Sequence, residues 1–195
     1  ALPSDLRAPH RAGYVGVDCR KTGRTAAWAV AHLVRAPGPV GLFVGSHRYL
    51  GHETSEISFR SYLRENAPEF RVLDTQVNLD DPQLAYEATL TMLARQPDLV
   101  GLYAAGGGQL GIIRALREEA ARRPIVAVCN DLVAEHRAAL VDGVISLVIG
   151  TPVAAVAATA IGAMLQAVEA VRGGAPPMQA AQFALPFDLY TPENV

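Results

Sequence analysis

Three glycines in a row, Gly106-Gly107-Gly108, stand between an apolar segment and a helical one. Backbone N–H groups in such a turn can hold an anion or a hydroxyl-rich ligand, and the same residues can serve only as a tight strand-to-helix turn. Gly111 follows, but no acidic residue comes where a dinucleotide site needs one on a second strand. His47 and His52, with Glu53 beside the second, invite a metal reading. A third ligand and supporting partners are not evident, so a solvated or ligand-facing loop is the better reading. Asp18 and the pair Asn130-Asp131 each end an apolar run. There they can bond a ligand hydroxyl or cap the following helix. Asp80-Asp81 precede Pro82 and suit the start of a helix better than acid–base work. No nucleophile lies beside a base, and no phosphate-binding, hydrolase-elbow or zinc-helix motif occurs. The chemistry on offer is binding without turnover, with no cofactor and no metal.

These residues need elements to hold them. Short apolar runs predict strands at Tyr14–Val17, Val40–Val44, Phe70–Val77, Leu99–Tyr103, Ile125–Cys129 and Val144–Ile149, with a last extended segment at Phe183–Tyr190. Between them helical spacing predicts helices at Thr22–Arg35, about Glu53–Glu65, after Pro82 to Arg95, Gln109–Ala121, Leu132–Leu140 and Val153–Val171. Pro37-Gly38-Pro39 ends the first helix. On the second, Ile57, Tyr62 and Leu63 are inward candidates. Trp28 and Phe59 read as core or interface contacts, and His136, beside Arg137, as solvated. Strand and helix alternate, and continuous apolar strands need cover on both faces. The fold class is therefore α/β, a parallel sheet with helices on both sides, and binding loops follow the carboxyl ends of its strands.

The 195 residues suffice for a domain with a real core, and half are hydrophobic. A net charge of −2 gives no positive field for nucleic acid. Two cysteines, Cys19 and Cys129, make no disulfide framework and fit a reduced, cytoplasmic setting. The apolar stretch Val144–Val171 is broken at Gly150-Thr151-Pro152 and reads as a strand and a buried helix rather than a membrane span. That helix is apolar on nearly every face and needs cover, which predicts self-association.

Three segments, Val15-Gly16-Val17-Asp18, Gly23-Arg24-Thr25-Ala26-Ala27 and Val40-Gly41-Leu42-Phe43-Val44-Gly45, resemble the start of the C-terminal subdomain of LacI-family repressors. Leu140-Val141-Asp142-Gly143 before Val144–Ile149, and the tail Leu185–Asn194, agree with it. The resemblance implies a periplasmic-binding-protein-like sensor of two Rossmann-like subdomains with a sugar in the cleft. On this reading residues 1–13 are linker and 14–149 the C-terminal ligand-binding subdomain. Residues 150–195 are return segments of an incomplete N-terminal subdomain, and the helix-turn-helix is absent. The implied partners are a sugar-like effector, operator DNA only through the missing module, and a second copy in a homodimer through the helices at Gln109–Ala121 and Leu132–Leu140. In the family an arginine after the second strand grips the sugar; the matching positions here hold Ser55 and Ser58. The expected ligand-facing rim is Asp18, His47, Ser55, Asp80, Gly107, Asn130 and Asp131. A sugar-binding protein of a transport system is the alternative, and a small α/β enzyme a third reading.

Overall fold

Residues 39–44, Pro-Val-Gly-Leu-Phe-Val, are buried throughout and form the strand around which the sheet is organised. In a computed structural model describing residues 1, 5, 13–119, 124–174 and 181–195, the elements come in the order β1 (Gly13–Val17), α1 (Cys19–Leu33), β2 (Pro39–Val44), α2 (Leu50–Asn66), β3 (Arg71–Val72), β4 (Gln76–Val77), α3 (Pro82–Arg95), β5 (Gly101–Ala104), α4 (Gln109–Glu119), β6 (Val126–Asn130), α5 (Ala134–Val141), β7 (Leu147–Gly150), α6 (Val153–Arg172), β8 (Ala181–Leu185) and β9 (Asp188–Tyr190). The large sheet runs β3-β2-β5-β6-β7-β9, with β4 also on β2. Its pairings are parallel except that β9 runs antiparallel to β7. The α/β class read from the sequence is the class observed.

Each face of the sheet has its own core. On one, Ala26, Ala27 and Val30 of α1 and Phe59 and Leu63 of α2 meet Leu42, Tyr103 and Val128. On the other, α3, α4 and α5 bring Leu93, Ile112, Leu116 and Leu140 against Phe43, Leu102 and Val148. The helix starts follow local chemistry. The Asp18 carboxylate accepts from the N–H groups of Arg20 and Lys21, and that of Asp81 from Gln83 and Leu84, with Pro82 in the first turn.

Four sequence expectations change. β1 joins not the large sheet but β8, in a separate parallel pair from Gly13 opposite Ala181 to Val17 opposite Leu185. An apolar strand fits either sheet equally well, and only long-range pairing decides. The predicted strand Phe70–Val77 splits into β3 and β4, because the Arg60 guanidinium takes the Leu73 carbonyl at 2.8 Å and the Thr75 hydroxyl at 2.7 Å. On α2 the inward set is Ser55, Ser58, Phe59 and Leu63, helical spacing that turns Ile57 outward, 59% exposed. On α6 only Val156 and Ala160 are buried, against Val15 with Phe183 and Leu185 alongside, while Ile161, Met164, Leu165 and Val168 are exposed. The two-stranded sheet covers one stripe of a helix that is long and apolar enough to cross a membrane. The linker expected at 1–13 and the helix end at 120–121 lie largely outside the described residues.

The chain passes between the two sheets three times: from β1 into α1, from β7 into α6, and from β8 to β9.

Candidate ligand-binding cleft

From β2 the chain goes by α2 to the β3–β4 edge, and then by α3 back across to β5 on the other side of β2. Loops therefore diverge at the carboxyl ends of β2 and β5, the place where open α/β sheets hold ligands. The closeness there is real: a Cβ on Gly106 would lie 2.3 Å from the Gly45 nitrogen and 2.9 Å from the His52 ring. Beside this point opens a cavity of about 110 Å³. Its polar walls are Thr22, His52, Ser55, Asn130, Asp131 and Thr151, and Cys19, Ile149 and Phe187 supply apolar surface. Closed pockets for small ligands measure about 300–1,000 Å³, so the described residues form part of a binding wall.

The floor is a buried hydroxyl cluster. Thr22 and Ser55, 3% and 2% exposed, both donate to the Cys19 carbonyl, at 2.9 and 3.1 Å, and their oxygens lie 3.3 Å apart. Their donors are thus used, so toward a ligand these hydroxyls can act only as acceptors. The Tyr103 hydroxyl donates to Asn130 Oδ1 at 3.3 Å, and Asn130 Nδ2 donates to the Ala105 carbonyl at 3.2 Å. Burial pushes the Tyr103 phenol well above its ordinary pKa, so it stays a neutral donor. The Asp131 backbone adopts a left-handed conformation, φ 60°, and its carboxylate accepts from the Thr151 hydroxyl at 2.7 Å.

His52 sits in the first turn of α2. Its Nδ1 accepts the Ser46 N–H at 3.4 Å, which leaves the proton on Nε2 in the neutral ring. Burial holds its pKa below the ordinary histidine value, against the pull of the Asp80 and Asp131 carboxylates. Neutral His52 therefore offers one N–H donor. Gly51 beside it also lines the cavity, and no side chain caps α2, so first-turn N–H groups add donors there.

Of the rim expected from sequence, Ser55, Asn130 and Asp131 come together here. Asp18 caps α1 and lines an adjoining groove with Gln182 and Ala184. Asp80 and Gly107 bond each other, the Gly107 N–H donating to Asp80 Oδ1 at 2.7 Å, and neither lines the cavity. His47 turns away, with Nε2 2.7 Å from Glu56, so it does not converge with His52. The expected rim left out Thr22, Thr151 and Phe187, and it named His47 but not His52, although the loop carrying both was read as solvated or ligand-facing. Thr151 had a usable signal, since it directly follows β7 just as Asp131 follows β6. His136, expected in solvent, is 3% exposed.

Glu56 anchors the loop next to the cleft. Burial works against its charge, yet bonds from Thr75, His47 and Arg60 outweigh this, and its carboxyl titrates below the ordinary value. A depressed carboxyl contributes stability above its unfolded pKa, about 4.3, and loses it as pH falls through the folded value. The melting-temperature penalty of Glu56→Gln should be largest at pH 6–7 and shrink at acid pH. A penalty independent of pH would mean that these bonds do not hold a charge.

Residues 4–172 match the family model for the periplasmic binding protein domain. The chain belongs to that family. Solved structures of this kind superpose closely. A periplasmic ribose ABC transporter of Conexibacter woesei is 23% identical, covering 98% of this chain and 63% of its own, with a TM-score of 0.82. An ABC transporter solute binding protein of Agrobacterium vitis, bound with α-D-tagatopyranose, is 21% identical over 98% of this chain and 64% of its own, at 0.81. GanP, a glucose-galactose binding protein of Geobacillus stearothermophilus, is 17% identical over 99% and 67%, at 0.84. Identities this low speak for the fold alone. No curated protein sequence matches the chain. This periplasmic binding protein domain thus spans about two thirds of the length of such structures, 63% in one and 67% in another.

Proposed function

We propose that the chain binds an uncharged sugar in the cleft at β6 and β7, as the sugar-receiving part of a transport-type binding protein. The observation that carries this is the lining. The cavity is lined by the hydroxyl residues Thr22, Ser55 and Thr151 with Asn130, His52 and Asp131, and among the described residues no lysine or arginine lines it. A sugar hydroxyl both donates and accepts, which suits acceptors from Asp131 and the buried hydroxyls and donors from His52. A sugar acid would meet the Asp131 carboxylate with no cation in the wall to offset it. The cations of the first turn of α1 stand elsewhere: Arg20 lines the adjoining groove, and Lys21 pairs with Asp18 at 3.8 Å.

The ribose, tagatose and glucose-galactose proteins named above support a sugar, and the ABC transporter roles of the first two support a transport-type binding protein outside the cytoplasm. The repressor reading uses the same cleft, sets it in the cytoplasm and adds a DNA-binding module. Sugar-responsive operator binding by the full-length gene product would restore it. The exposed apolar face of α6 supports association with another protein surface, a homodimer among the choices.

The test is a thermal-shift titration with D-ribose, D-galactose, D-glucose, D-tagatose and D-galacturonate. At least one neutral sugar should raise the melting temperature with concentration, and galacturonate should not. Asp131→Asn removes a charged acceptor worth about 1.5–3 kcal/mol, so affinity for the neutral sugar should fall about 10- to 100-fold. A folded protein that no member shifts would overturn the sugar reading. A shift by galacturonate alone would overturn the charge argument.

A further inference from the structure

His136 is the one side chain among the described residues with a buried polar atom that lacks a partner, its Nε2. The ring is 3% exposed, in the first turn of α5, whose Ala139 and Leu140 belong to the apolar core. Its other nitrogen, Nδ1, lies 2.5 Å from the Asp131 carbonyl oxygen. An oxygen there can only accept, so Nδ1 carries the proton and Nε2 keeps a bare, buried lone pair. An aliphatic side chain would avoid that unpaired acceptor. The imidazole is therefore accounted for by its other nitrogen, and by what that nitrogen holds.

It holds an unusual backbone. Among the described residues Asp131 is one of three non-glycine residues with positive φ, and the others, Leu79 and Asp80, also lie beyond a strand's carboxyl end. Aspartate enters the left-handed region at a cost, so surrounding contacts must fix it there. Three do. The Asp131 N–H donates to the Ile149 carbonyl at 2.8 Å, the Thr151 hydroxyl donates to its carboxylate at 2.7 Å, and His136 bonds its carbonyl. The first two tie Asp131 to β7 and to the residue after it, and His136 alone ties it to α5.

We infer that His136 is a positioning residue of the cleft: its Nδ1–H bond to the Asp131 carbonyl fixes the left-handed turn that presents the Asp131 carboxylate to the ligand. The functional half of this rests on the sugar-binding reading above; the conformational half does not. His136 gives up a satisfied core position in exchange for the geometry of Asp131. Stability and site geometry should therefore separate when it is replaced.

Three variants test this. His136→Leu removes the donor and the unpaired Nε2 together. His136→Asn keeps an amide donor on Cγ, where Nδ1 is attached, and His136→Gln moves the donor one atom out, toward the place of Nε2. Hydrogen exchange at the Asp131 amide and its backbone φ, from NMR of the ligand-free chain, are the primary readouts. In His136→Leu and His136→Gln the Asp131 amide should exchange at least 10-fold faster, with φ leaving the left-handed region. His136→Asn should retain the parent values. His136→Leu should also melt at or above the parent temperature, which a merely structural role would not produce. Should the leucine variant fail to fold, the asparagine–glutamine pair decides by itself. Equal exchange in that pair, or Asp131 still left-handed and protected in a folded leucine variant, overturns the inference. The affinity for whichever of D-ribose, D-galactose, D-glucose or D-tagatose shifts the parent should fall at least 10-fold in His136→Leu and recover in His136→Asn. If none of these sugars binds the parent, the sugar reading fails while the amide exchange still decides the role of His136.

Discussion

Phe59→Ala is expected to destabilise the protein by about 3–5 kcal/mol, the cost of truncating a buried aromatic and leaving a cavity. Phe59 is fully buried and stacks on Tyr103, with ring centroids 5.0 Å apart and planes 18° apart. Such pairs contribute about 0.5–1.5 kcal/mol beyond the area they bury. The loss should reach the cleft, because the Tyr103 hydroxyl donates to Asn130 at 3.3 Å. A ring free to shift no longer aims that hydroxyl. Urea denaturation measures the first effect and sugar titration the second. Ile57→Ala, at a side chain two positions earlier that is 59% exposed, serves as the comparison and should stay within about 0.5 kcal/mol. Equal losses at the two positions would mean that α2 faces the sheet in a different phase.

Gly23→Val should cost about 3 kcal/mol, the upper part of the usual range for forcing extra atoms into a packed interior. Gly23 lies where α1 crosses α2, and a Cβ there would sit 2.2 Å from the Ser55 carbonyl oxygen and 2.9 Å from its carbon. Both are backbone atoms, so relief requires the helices to move apart rather than a side chain to turn. That motion separates Thr22 from Ser55, whose hydroxyls lie 3.3 Å apart on the cleft floor, and sugar affinity should fall along with stability. Gly162→Ala on α6 gives the opposite sign, since nothing lies within 4 Å of its Cβ position. The added methyl should stabilise that helix by about 1 kcal/mol. Denaturant midpoints for the two variants on opposite sides of the parent are the expected result. A neutral Gly23→Val would mean that the α1–α2 contact is looser than the structure has it.

The parallel sheet was legible because β2, β5 and β6 are continuous apolar runs, a pattern that only a strand covered on both faces requires. The starts of α1 and α3 were legible because Asp18 and Asp81 act within their own turn of chain. Asn130 and Asp131 could be placed on the crevice for a similar reason: the end of a strand in such a sheet is a location, whatever its neighbours are. What escaped depends on distant contacts. Thr22 stands on a helix 33 residues before its partner Ser55, where a threonine in isolation reads as solvated. Phe187 reaches the cleft from the far end of the chain. His136 sits beside an arginine on a helix of eight residues, too short for a periodic pattern to reveal its inward face. β1 reads like the other apolar strands, and its pairing with β8 far along the chain leaves no local mark in the sequence.

Each of the three passages between the sheets contributes to the wall of the cleft: Val17 and Cys19 at the first, Gly150 and Thr151 at the second, Phe187 at the third. Any turn of the β1–β8–α6 unit against the large sheet has to be taken up in these three connections. A molecule lodged in the cleft rests against all three pivots rather than on surfaces remote from them. Torsion at the pivots alters the spacing of the walls, and whatever fills the space opposes or drives that torsion in turn.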